Sequence, residues 1–324
     1  FKPIFRDKIW GGQKIKNKLG FDIGSLENCG ELWSLSGYPE EQSTISNGFL
    51  VGNLLNELVE IYMDELVGGA VYDKFGDVFP ILVKILDAED WLSIQVHPDD
   101  QLAQERGLGG GKTEMWYVLD AEPQSKLIAG FNQKVNEQVY MRKIEDKKLS
   151  EIMNFEDVQK EDVFFMPSGR VHALGPGILL AEIQQTSDTT YRIFDWDRVD
   201  KQGKSRDLHL KEAMAAIDFE LYDHYKTKYT QEVNKTNEII NSPFFITNLI
   251  ELDQAIKKDY IELDSFVILL GIEGKFAYVD KNGNKGSLQA GESLLIPASI
   301  NEISIYPESS CKILEIYIIV SEEE

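Results

Sequence analysis

Residues 163–172 read Val163-Phe164-Phe165-Met166-Pro167-Ser168-Gly169-Arg170-Val171-His172. A short apolar run with a β-branched and two aromatic residues reads as a buried strand, Val163–Met166. Pro167 and Gly169 then make a tight turn, which can aim His172 back into the interior of a barrel. The same grammar fills the second half of the chain. Strand signals recur at Ile178–Ile183, Phe244–Leu249, Ser265–Leu270, Lys275–Val279, Ser293–Ile296 and Lys312–Val320. Turn residues such as Asp280–Gly286 separate them. Many short strands with Gly and Asn turns predict a β-sandwich or barrel.

Helical signals are fewer. Asn53 can cap a segment whose apolar residues from Leu54 to Val67 follow helical spacing, with Gly68-Gly69 as the stop. A second helix is expected from Asp207 through Ile217, and a third within 135–152. The polar stretch before Pro243 suggests a boundary, giving domains 1–240 and 241–324. The second of these holds 6 Lys, no Arg, no His and 14 acidic residues, a balance of −8. It therefore offers no imidazole for a metal or a base.

The chain of 324 residues carries 33 Lys plus Arg against 55 Asp plus Glu, a net charge of −22. Nucleic acid and anionic membrane surfaces are poor partners for such a balance. A small anionic substrate needs a local basic cluster against that background field. The longest apolar runs fall far short of the roughly 20 residues of a spanning helix, and no basic-then-apolar leader opens the chain. Two distant cysteines, Cys29 and Cys311, read as reduced packing thiols and point to a cytoplasmic protein. The sequence leaves the oligomeric state open.

The chemistry sits in three short segments. In Ser93-Ile94-Gln95-Val96-His97-Pro98, a strand over 92–97 puts Gln95 and His97 on one face, because side chains alternate with period two. In Gly111-Lys112-Thr113-Glu114-Met115-Trp116, the same rule aligns Lys112, Glu114 and Trp116. His172 follows the turn quoted above. Two imidazoles, a carboxylate and an amide oxygen on neighbouring strands suit a borderline divalent metal. Each residue alone has a plainer reading: His97 and His172 as structural, Lys112 as a solvated amine on a flexible loop after Gly109-Gly110-Gly111. Likewise, Arg192 reads as a partner of Asp188, Asp195 or Asp197, Glu182 as a partner of Arg192, and Trp10 as core. His209 and His224 are assigned to structure.

Taken together, the motifs resemble the cupins. Pro-x-Gly-x-x-His at 167–172 is similar to the second cupin signature, and Gln95-x-His97 with Glu114 to the first, with Gln in place of the usual first His. Gln-x-His-Pro with Glu-x-Trp on the next strand resembles the type I mannose-6-phosphate isomerases of the short bacterial form. Ile9-Trp10-Gly11-Gly12, Gly30-Glu31-Leu32-Trp33 and Ala181–Asp188 through Arg192 follow in the order of that family. The resemblance implies a mainly β chain of two cupin-type β-barrel (jelly-roll) domains, with a few helices packed on the N-terminal one. Gly291–Pro297 begins a second cupin signature without His, which suggests a C-terminal barrel that binds no metal and has a structural role.

Carried over residue by residue, the resemblance implies one Zn2+ per chain held by Gln95, His97, Glu114 and His172. It implies Lys112, Glu182 and Arg192 as catalytic residues, and Lys112, Arg192, Trp10 and Glu31 as substrate contacts. The implied reaction interconverts mannose 6-phosphate and fructose 6-phosphate by proton transfer through an enediolate. A Lys112 near a metal is expected to have a lowered pKa, which suits proton shuttling. Two positions depart from larger members: Gly111 stands where they have His, and Leu174 where they have Tyr. An iron(II) oxygenase and a non-catalytic sugar-binding cupin draw on the same donors, although a fourth ligand at Gln95 takes a position that oxygen needs.

Overall fold

A computed structural model of the chain describes residues 1–200 and 202–320. It is mainly β, with eighteen strands and seven α-helices among those residues. Two compact units divide it. One comprises 1–4, 32–84 and 228–324, the other 5–31 and 85–227. The boundary expected at 240/241 falls at the end of the strand Thr236–Asn241. The last four residues of the expected second domain lie outside the described residues.

The second unit carries Gln95, His97, Lys112, Glu114, His172, Glu182 and Arg192, whereas Gly291–Pro297 lies in the other. One of its sheets runs in the order Tyr191–Phe194, Ile94–Val96, His172–Leu174, Lys126–Phe131 and Met153–Asp157. Facing it, Glu114–Ala121 lies between Ile178–Gln185 and Val163–Met166. All these pairs are antiparallel. Trp116, Val118, Phe164, Met166 and Leu180 from one side meet Leu127, Ala129 and Leu174 from the other in a buried core. The outer face of the five-stranded sheet buries Ile94, Val96, Ile128, Tyr191 and Ile193. Val139 and Ile144 of the helix Glu137–Glu145, and Leu210 and Met214 of Leu210–Ala216, pack on that face.

In the other unit a sheet is dominated by two long strands, Val267–Asp280 and Glu302–Tyr317. Its core is Ile250, Leu269, Phe276, Ile305 and Ile313, among others. Here the expected separate strands at 265–270 and 275–279 prove to be one. Gly271 and Gly274 mark register shifts inside the strand rather than turns. The helical stretch from Leu55 to Phe75, expected with the N-terminal domain, belongs to this unit. Asp264 accepts hydrogen bonds from the backbone N–H of Gly69 and Ala70 there.

The sheets are not closed barrels. Their strand orders run from edge to edge without returning to the first strand, so of the expected cupin-type β-barrel (jelly-roll) domains the structure shows mainly β units built of open sheets. No helix among the described residues is long and apolar enough to cross a membrane.

Candidate metal centre

His97, Glu114 and His172 converge between the two sheets of the second unit, and all three are buried. The strand pairing brings this about. Gln95 and His172 are direct partners across the antiparallel pair Ile94–Val96 and His172–Leu174. Gly169 N–H donates to the His97 carbonyl at 2.9 Å, tying the turn at 167–169 to the neighbouring segment. Gly169 has φ +87°, so the turn at this point favours glycine.

Both imidazoles face the same carboxylate. His172 Nε2 lies 3.3 Å from Glu114 Oε1, and His97 Nε2 lies 3.6 Å from Glu114 Oε2. Each ring's other nitrogen is occupied by a carbonyl: His97 Nδ1 with Thr189 O at 2.9 Å, and His172 Nδ1 with Arg170 O at 2.9 Å. A neutral imidazole must donate to such a carbonyl, so Nδ1 carries the proton and the Nε2 lone pair points inward. Burial is the main cause that pushes His172 down to about 4; the Arg170 carbonyl offsets it and Lys112 adds to it. The ring is therefore neutral near pH 7, the form a metal requires.

The donor set fits a divalent metal. Ligand bonds of about 2.0–2.2 Å in a tetrahedron separate neighbouring donor atoms by roughly 3.3–3.6 Å; one ligand atom from each of the three residues lies within 4.8 Å of the others, so a small closing movement reaches that spacing. Gln95 completes the group differently from the expectation. Its Nε2, not its oxygen, faces His172 Nε2 at 3.3 Å, while Oε1 accepts from Ser93 Oγ at 3.1 Å. A half-turn of the amide exchanges the two atoms, and the Ser93 hydroxyl can pair with either.

Lys112 is brought to the same point, although it precedes the strand Glu114–Ala121. Its Nζ donates to Glu114 Oε2 at 2.9 Å and lies 3.2 Å from His97 Nε2. The lysine is buried, not solvated. Burial pulls its pKa down, but the charges of Glu114 and Glu182, the hydrogen bond to Glu114 and the charge of Asp188 outweigh this. The net direction set by these protein groups is above the ordinary lysine value; the lowering expected beside a metal belongs to the loaded site.

Glu182 is buried opposite Trp116, its partner on the adjacent strand, and accepts from Trp116 Nε1 at 3.0 Å. The Trp116 ring also meets His172 edge-on at 5.3 Å. Arg192 pairs with Gln95 across the strands and so shares its face. Among the described residues its guanidinium makes no ion pair with an aspartate, unlike the plain reading. Nη1 donates to the Asp207 carbonyl at 2.9 Å, and the buried Nε has no hydrogen-bond partner. Trp10 is part of the core that contains Trp116, and Glu31 is paired with Lys8 at 2.9 Å. His209 ends in a structural role, its Nδ1 accepting from Arg192 N–H at 3.1 Å, and His224 is exposed.

Gly111 is not part of a merely flexible loop. Its N–H donates to Asp100 Oδ1 at 2.7 Å, and a Cβ there would stand 2.6 Å from the Asp100 backbone nitrogen. A side chain at this position requires the loop to take another path. Leu174 is buried in the core between the sheets. The carbonyls of Thr189 and Arg170 were not predicted as parts of the site, since every residue offers a carbonyl and none signals its use.

Residues 1–121 match the family model of the phosphomannose isomerase type I catalytic domain. Mannose-6-phosphate isomerase ManA of Bacillus subtilis is 34% identical over 314 residues, covering 96% of each chain. The mannose-6-phosphate isomerase of Streptococcus mutans is 34% identical over 305 residues, covering 92% of this chain and 93% of its own. A crystal structure of mannose 6-phosphate isomerase from Bacillus subtilis superposes with a TM-score of 0.88 at 30% identity, covering 98% of both chains.

Proposed function

Since the chain belongs to the type I phosphomannose isomerase family, we propose that it is a metal-dependent isomerase that interconverts mannose 6-phosphate and fructose 6-phosphate. The observation that carries this reading is the buried His97–Glu114–His172 group with Lys112 Nζ against it. The donors are two imidazole nitrogens and a carboxylate oxygen, with Gln95 as a fourth. They suit zinc, one per chain. When bound, such an ion supplies Lewis-acid polarisation of the sugar's carbonyl and hydroxyl oxygens.

The chain's own residues supply the rest. The reaction removes a proton from a carbon next to a carbonyl and returns it to the neighbouring carbon, so negative charge develops on oxygen in between. Lys112 Nζ, buried against Glu114, donates hydrogen bonds to that oxygen and stabilises its charge. Glu182 is the candidate base. Its Oε1 is oriented by the Trp116 indole, and its charge is felt by Lys112. Arg192 offers its unpartnered Nε to the substrate's phosphate or to an oxyanion. Trp10 and Glu31 are assigned to the cleft walls on the resemblance to the family.

Burial of Lys112 against Glu114 disfavours the solvated reading of that lysine, and family membership favours the isomerase over the oxygenase and the binding-only alternatives. A coupled assay that follows fructose 6-phosphate formation from mannose 6-phosphate tests the proposal. The zinc-loaded protein turns the sugar phosphate over, and absence of turnover at full zinc occupancy contradicts the proposal.

A further inference from the structure

The turn that presents His172 is held from outside by a segment with no part in the chemistry described so far. The imidazole owes its tautomer to one backbone carbonyl, that of Arg170. A carbonyl orients a ring only if its own backbone is fixed. Gly169 cannot fix it alone, because a glycine is the most permissive residue in the turn. The restraint comes from the side chain of Arg170 and from residues 218–225.

Arg170 Nη1 donates back to the Phe165 carbonyl at 2.8 Å, bracing the turn against the strand it leaves. The guanidinium lies over two rings, 4.6 Å from the centroid of Tyr222 and 5.2 Å from that of Tyr225. Both rings are themselves tied down. Tyr222 OH donates to Asp218 Oδ2 at 2.7 Å, and Asp218 N–H donates to the Gly169 carbonyl at 2.8 Å. Tyr225 OH donates to the Phe131 carbonyl at 3.0 Å. Its ring fills the space beside Gly130, where a Cβ would approach it to 2.5 Å. Gly130 N–H in turn donates to the Val171 carbonyl at 2.7 Å. The clamp thus closes on the residues just before His172 from both sides.

We infer that Arg170 is a positioning residue for His172: its guanidinium, clamped by Tyr222 and Tyr225, fixes the turn whose carbonyl orients the imidazole. The inference rests on the reading of His172 as a metal ligand. Groups that orient a ligand from behind are worth about 10–100-fold in metal affinity, and a guanidinium stacked on two rings is not replaceable by an ammonium without loss of its planar donors.

The test is the zinc dissociation constant, read by competition with a chromophoric chelator at a temperature where every variant is folded. Arg170→Met, which keeps the apolar stem, weakens zinc binding 10–100-fold. Arg170→Lys recovers part of that loss. Tyr222→Leu acts from the surface, since Tyr222 is 40% exposed, and weakens binding in the same direction without disturbing the core. This keeps the test open if Arg170→Met does not fold. The visible spectrum of the cobalt-substituted Arg170→Met protein shifts as well, which a general loss of stability does not produce. Zinc binding within twofold of the parent in the folded Arg170 and Tyr222 variants overturns the inference and leaves the metal site intact. A parent protein that binds no zinc overturns both.

Discussion

His172 illustrates what a single residue contributes here. One ring nitrogen is committed to a backbone carbonyl, and the other is aimed at Glu114. Period-two spacing in the sequence aligned Gln95 with His97 and Lys112 with Glu114, and the resemblance to the cupin signatures joined these to His172. The carbonyls behind the imidazoles were not legible, because backbone groups leave no mark on residue type. Lys112 makes the first prediction at this scale. Lys112→Met should retain zinc but lose at least about 100-fold in turnover, the lower end for a positioned proton donor. Metal analysis and the coupled assay on the same preparation check it. Asp87 makes the second. Its carboxylate accepts from the Lys14 and Ile15 backbone N–H, while its buried Oδ1 has no partner. Burial raises it to about 6, against the opposing backbone hydrogen bonds and Lys14. A carboxylate raised in the folded state binds its proton more tightly there than in the unfolded chain. Stability from this group is therefore present below about pH 4 and is lost as the pH rises through about 6. The stability of the parent relative to Asp87→Asn should fall over that window by roughly 2–3 kcal/mol. Denaturant titrations at the two ends of the window measure it, and a flat difference contradicts the assignment.

At the scale of the element, the strands of the second unit were the most legible part. Val163–Met166 agrees with the expectation to the residue, as does Ser293–Ile296 in the other unit. Errors arose where one signal has two physical meanings. Strands were expected to break between 270 and 275, but the glycines there, Gly271 and Gly274, permit a bulge, and the long strand continues through them. The helix expected from Asp207 begins at Leu210, because the Asp207 carbonyl accepts from Arg192 and the His209 ring accepts from the Arg192 backbone. The loop before the strand Glu114–Ala121 carries the prediction for this scale. Gly111→Ala places a methyl against the Asp100 backbone, so the loop shifts and Lys112 moves with it. Turnover should fall more than zinc affinity, because the lysine rides on the loop while Glu114 is held in its sheet. Equal losses of both, or neither, would show that the loop adapts without moving Lys112.

For the whole molecule, a net charge of −22 looked unfavourable for a phosphorylated substrate. The buried ionisable groups resolve part of this. Among the described residues only a handful of the 55 acids are buried, and in the second unit Glu114 and Glu182 stand with Lys112, so the acidic surplus lies largely outside the core. The division into units was the least legible feature. A boundary read from composition assumes that each domain is one stretch of chain, whereas here 32–84 joins 228–324 in one compact unit. Metal binding links the site to global stability. A ligand that binds only the folded state adds about 4 kcal/mol at a thousandfold excess over its dissociation constant. Chelation should thus lower the melting temperature of the parent and leave that of His172→Ala unchanged. The central claim, that His97, Glu114 and His172 hold the working metal, is met most directly by zinc content per chain in protein purified without added metal. One zinc is expected in the parent, and none, with no turnover, in His97→Ala. Zinc retained in that variant at the parent's level would contradict it.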